Sequence, residues 1–196
     1  MSIHTWEIKI ERMRWEGLSD RQGKKKTGRY TLKGIINYKN PISWWQYLIW
    51  VMPVFGAIGI IMTLLKPAES FMKLNLFFWL PNLDTGLDGN FSRSILTVTY
   101  SLYLLFVVIL GPLVEESYFR GYLLPRMKGK LAVLFHSFLF AAYHVFTPWM
   151  IISRTVGFLP LILAVKKKNI YVGIIVHILC NSVDFVTAVV FITNMK

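Results

Sequence analysis

Four apolar stretches, each close to the length of a membrane-crossing helix, decide what this chain can fold into. Trp44–Leu65, Ile95–Val114 and Leu131–Ile152 contain no Asp, Glu, Lys or Arg, and Ile170–Ile192 contains one, Asp184. A shorter run, Thr155–Val165, lies between the last two. About 20 such residues in a helix cross the hydrocarbon core of a bilayer. With 55% hydrophobic and only 16% charged residues, the chain lacks the polar surface of a soluble domain of this length. The expected fold is all-α: a polytopic membrane bundle of about five to six membrane-embedded helices.

The net charge of +12 invites a nucleic-acid reading, but its placement argues for topology. Of 22 Lys and Arg, ten fall in residues 1–40, four in 115–130 (Arg120, Arg126, Lys128, Lys130) and three at Lys166–Lys168. If the chain alternates across the bilayer, these 17 share one side against Lys66, Lys73, Arg93, Arg154 and Lys196. The positive-inside rule then puts the N-terminus and the turns at 126–130 and 166–168 in the cytoplasm of a multi-pass cell-membrane protein, with anionic head groups as neighbours. No nucleic-acid partner is expected.

The organisation reads as three parts: a basic N-terminal segment over 1–43, a first transmembrane helix with an outer loop over 44–94, and a membrane core over 95–193. Residues 1–40 are polar and basic rather than a cleavable secretory leader. Trp44, Trp45 and Tyr47 open the first span as an interfacial aromatic belt. Residues 66–94, with Pro67, Pro81, Gly86 and Gly89, read as the outer loop, the apolar stretch 74–80 being a candidate interfacial or re-entrant helix.

Chemistry concentrates in the core. Glu115-Glu116-Ser117-Tyr118-Phe119-Arg120 ends an apolar run, and an acidic pair at membrane depth is a functional hypothesis by default because ionised carboxylates are costly in hydrocarbon. Gly111-Pro112 is expected to kink or restart the helix just before the pair, and Lys128-Gly129-Lys130 to form a tight turn. Glu115 lies 14 residues before Gly129 and His144 15 after it. At ~1.5 Å per residue each is roughly 21–22 Å from the turn, so a helical hairpin brings them level. His177 and Asn181, four apart, share a face of the last helix. His177 lies only roughly 12–14 Å from that helix's start, so tilt or a wet cavity must close the difference.

Adjacent helical residues diverge by ~100°, so the two glutamates divide their work. Glu116 and Arg120 are spaced for an i,i+4 ion pair, which suits Glu116 to support. Glu115 has no local cation, and its low-dielectric surroundings suit it to general acid–base work. His144 can position a water beside it, while His177 and the Asn181 amide can donate to an oxyanion. These are the parts of a water-activating amide hydrolase.

Three motifs carry a family resemblance: Glu-Glu-x-x-x-Arg at 115–120, Phe-x-x-x-His at 140–144 and His-x-x-x-Asn at 177–181. In order and spacing the chain resembles the CAAX protease and bacteriocin-processing (CPBP, or Abi) family over about residues 95–193. The resemblance implies an intramembrane endopeptidase related to the prenyl-protein CAAX protease. It assigns Glu115 and His144 to water activation and His177 and Asn181 to the oxyanion, with Glu116, Arg120 and Phe140 in supporting positions. It implies a membrane-associated protein or peptide as substrate, of CAAX, bacteriocin or pheromone type.

Zinc enters because such enzymes are often labelled metalloproteases. Glu115, His144 and His177 make a conceivable ligand set, but nothing matches His-Glu-x-x-His, and Asn181 is a poor ligand. Metal-free chemistry is the favoured expectation. The competing reading is a non-enzymatic immunity or scaffold protein of the same fold, binding a bacteriocin or sensor partner. Outside the motifs, His136 reads as a packing residue, Arg154 as a head-group anchor, Asp184 as either a neighbour of His177 or a residue of the wet bundle, and the single Cys180 as a small core residue.

Overall fold

In the computed structural model, residues 42–81 and 85–195 are described, all within one compact unit. The expectations for residues 1–40 lie outside the described residues. Among the described residues there are five helices, four of them long and apolar enough to cross a membrane: α1 (Trp44–Asn75), α2 (Arg93–Arg126), the shorter α3 (Ala132–Tyr143), α4 (Pro148–Lys167) and α5 (Ile170–Asn194). The expected all-α membrane bundle is thus the observed one. Helix suits such sequences because each segment pairs its own backbone donors and acceptors, which lipid cannot do.

The boundaries differ from the sequence reading in two places. First, α1 does not end at Leu65; it continues through Pro67 to Asn75, so part of the expected outer loop is helix. A proline removes one backbone donor, yet tertiary contacts hold the extension: the Lys73 ammonium donates to the Leu80 carbonyl and sits 4.2 Å from the centre of the Trp149 ring on α4. Second, Leu131–Ile152 is not one span. α3 stops at Tyr143, His144 leaves helical geometry (φ −81, ψ 62), and Thr147 is also non-helical (φ −134, ψ 57). Residues before proline avoid the helical region, so Thr147-Pro148 breaks the run, and residues from Pro148 join the former Thr155–Val165 stretch to make α4.

Local chemistry fixes the remaining ends. Ser92 and Asn169 cap α2 and α5, their side chains accepting from Ile95 N–H and Val172 N–H. The Arg93 guanidinium donates to the carbonyls of Ile192, Thr193 and Met195 at 3.1, 3.0 and 2.8 Å, capping α5 and tying it antiparallel to α2. Gly129 carries the α2–α3 turn at φ +109, a conformation side-chain-bearing residues avoid.

α1 packs on α4 and α5, α3 on the first half of α4, and α2 along α5. Val51, Val54, Ile58, Phe119, Phe140, Leu161, Val172 and Val176 meet in the main core. The distribution of polarity is inverted relative to a soluble domain. Leu64, Val98, Phe106 and Val114 face outward, whereas Glu116, Arg120, His136, Ser137, Ser153, Asn169 and His177 are buried.

Candidate active site

The site is built around a short α-helical piece of α2, Gly111–Glu116, set between two π-helical stretches, Leu104–Leu110 and Ser117–Leu123. Wider turns of this kind lengthen the hydrogen-bond step to five residues. Gly111 N–H bonds to Phe106 O and Leu124 N–H to Phe119 O. The restart expected at Gly111-Pro112 is therefore present, as a return from π to α winding. It leaves Val107 O without a backbone donor: Gly111 N–H goes to Phe106 O, and Pro112, five residues on, has no N–H. The Asn181 amide on α5 fills that need, donating to Val107 O at 2.9 Å. In the second stretch His136 on α3 bonds to Phe119 O at 2.8 Å.

Glu116 is fully buried. Its Oε1 accepts from His177 Nδ1 at 2.9 Å and lies 3.0 Å from Arg120 Nη1, the i,i+4 ion pair read from spacing. Room for this carboxylate comes from Gly173. A Cβ there would lie 2.7 Å from Glu116 Oε2 and 2.7 Å from Val165 Cγ2. Arg120, also fully buried, stacks its guanidinium 3.9 Å from the centre of the Phe140 ring. Phe140 in turn meets Phe119, Phe158, His144 and His177 at ring distances of 5.1, 4.9, 5.0 and 5.7 Å. The motif phenylalanine is thus the apolar post around which the charged groups are arranged.

Glu115 points differently and is 20% exposed, with Oε2 3.8 Å from His177 Nε2. The depth difference expected for His177 is closed: its two ring nitrogens face the two glutamates. Among the described residues no ion pair joins Glu115 to His144. His144, just past the end of α3, directs Nδ1 to Phe140 O at 2.9 Å. A carbonyl only accepts, so Nδ1 carries the hydrogen and Nε2 presents a lone pair.

Asn181 is not simply a free oxyanion donor. One N–H is committed to Val107 O, and its second is the one left for chemistry. Arg154, expected at the head groups, is part-buried and donates to Thr147 O and Oγ1, bracing the turn after His144. Asp184 is exposed on α5, apart from the His177 pair. His136 is buried, as expected of a packing residue, but it also makes the directed bond to Phe119 O. Gly173 went unnoticed in the sequence, although it stands four residues before His177 on the same helical face.

Among the described residues no three His, Cys, Asp or Glu side chains are grouped to hold a metal ion. Glu116 takes His177 Nδ1, and the other imidazole nitrogen faces Glu115.

A family model described as type II CAAX prenyl endopeptidase, Rce1-like, matches residues 97–183. The match spans both π stretches, α3, α4 and α5 as far as Val183, taking in every motif residue named above. Over these residues the chain is similar to the CAAX prenyl endopeptidase family. No curated protein and no solved structure matches the chain.

Proposed function

We propose that the protein is an intramembrane endopeptidase that cleaves membrane-associated proteins or peptides by metal-free hydrolysis. The observation that carries the reading is His177, buried with one ring nitrogen on the Glu116–Arg120 pair and the other facing Glu115. A charged set of this kind inside an apolar bundle costs too much desolvation to be kept as stabilising glue.

In this mechanism Glu115, the accessible carboxylate, takes a proton from water as it attacks the scissile carbonyl, and the Nε2 lone pair of His144 orients that water. His177, held by Glu116, donates to the developing oxyanion together with the second N–H of Asn181. Glu115 then returns the proton to the leaving amine. Glu116, Arg120 and Phe140 position His177. The basic turns at 126–130 and 166–168 face the cytoplasm, so the substrate approaches from that side or laterally through lipid.

The test is cleavage of a membrane-anchored reporter peptide in proteoliposomes by Glu115→Gln, His144→Ala and His177→Ala. Each is expected to lose turnover by about 10²-fold or more. Full turnover in any of them removes that residue from the mechanism. Loss of activity to a chelator with recovery on zinc overturns the metal-free chemistry.

A further inference from the structure

Three sets of buried polar atoms around Arg120 have no protein partner. Arg120 Nε and Nη2 are buried with no hydrogen-bond acceptor, and Nη1 has only its ion-pair approach to Glu116. Glu116 uses Oε1 twice and leaves Oε2 unpaired. His136 is wholly buried, and because Nε2 donates to Phe119 O, Nδ1 is a bare lone pair with no donor. The guanidinium has donors to spare, while the imidazole and the carboxylate each have an acceptor to spare. His136 meets the Phe119 ring edge-on at 6.0 Å, Phe119 meets Phe140 at 5.1 Å, and the Arg120 guanidinium lies 3.9 Å from the centre of Phe140, so His136 and Arg120 flank one aromatic pair.

Buried polar groups are rarely left unpaired, and an internal water usually makes about three bonds to such groups. A single water donating to His136 Nδ1 and Glu116 Oε2 satisfies both orphaned acceptors and accepts from Arg120, taking up one or two of its unpaired N–H groups. We infer that His136, Arg120 and Glu116 hold a buried structural water. Through it His136 acts as a positioning residue for His177, the chain running His136–water–Arg120–Glu116–His177. The water site stands on the orphaned atoms alone; the positioning role rests on the endopeptidase reading above.

Two substitutions separate the two ends of the His136 ring. His136→Asn places an acceptor near Nδ1 but gives up the bond to Phe119 O; His136→Gln keeps a donor near Nε2 but loses the δ acceptor. His136→Leu removes both. Two readouts apply to the full chain in detergent micelles and proteoliposomes: guanidinium hydrogen exchange of Arg120 by nitrogen-15 NMR, which needs no activity, and the kcat and KM of reporter cleavage. The expected result is that Gln and Leu speed Arg120 exchange and lower kcat, each by about tenfold with KM unchanged, while Asn stays near wild type in both. A wild-type-like Gln variant with an impaired Asn variant, or equal impairment of all three, overturns the inference in favour of the Phe119 anchor or simple packing. If the wild type cleaves nothing, the endopeptidase reading fails separately and Arg120 exchange alone decides the water site.

Discussion

Leu104–Leu110 and Ser117–Leu123 both wind α2 wide, both are followed by a proline within a turn, and both hand a backbone carbonyl to a side chain of another helix. Their surroundings differ. Phe119, Arg120 and Gly121 of the second stretch are buried, and its carbonyl is held by a histidine of zero exposure. Leu105, Phe106 and Val107 of the first are exposed, and the amide that meets it lies on the open side of the α2–α5 contact. A π turn therefore does not by itself mark a reactive place. Buried, it anchors; at an open seam, it leaves a polar group within reach. The α-helical piece between them inherits the contrast, presenting Glu116 to the anchored side and Glu115 to the open one.

The largest expected effect tests the open side. Glu115→Gln should reduce turnover by about 10²- to 10⁴-fold with little change in unfolding midpoint, because Glu115 is partly exposed and carries no structural ion pair like that of Glu116. A large loss of stability instead would place Glu115 with the anchored group. Next comes the anchored side: Arg120→Leu leaves a buried carboxylate uncompensated and should cost roughly 3–5 kcal/mol in reversible unfolding from mixed micelles. A smaller effect is expected from Gly173→Ala, whose methyl collides with Glu116 Oε2 and Val165; roughly 1–3 kcal/mol should be lost, with His177 displaced. Gly173→Ala at wild-type stability and activity would show that this close approach is unimportant.

The smallest effect sharpens the comparison most directly. Asn181→Leu should cost about 0.6 kcal/mol, the average for interhelical polar contacts in membranes. Pro112→Ala supplies the N–H that Val107 O lacks, so Asn181→Leu should cost less in that background. A double-mutant cycle reads the coupling, and an unchanged cost would mean that the missing proline donor is not why Asn181 bonds there.

Much of this architecture was legible because length and charge patterns are local. The apolar runs mark helices, Gly129 marks the turn, and the spacing of Glu116 and Arg120 places them on one face. What escaped depends on partners far along the chain. Pro67 looks like a stop until Lys73 finds Leu80 and Trp149. The break at His144–Thr147 is written in Pro148, but apolar residues on both sides hide it. Asn181 reads as a donor for chemistry, and only the π winding of α2 reveals a carbonyl waiting for it. A glycine at 173 gives no sign of its use until a carboxylate from α2 is placed against it.

The shortness of α3 has a consequence for what the protein can select. Its 12 residues rise about 18 Å, well short of the roughly 30 Å hydrocarbon thickness. If the α2–α3 turn lies at the membrane surface, His144, at the other end of α3, marks a plane within the bilayer instead of reaching the far surface. If Glu115 and His144 attack at that plane, a substrate qualifies by how far its cleavable bond hangs from its anchor. Selection then works as a depth gauge, tuned by tether length more than by the identity of the residues on either side of the bond.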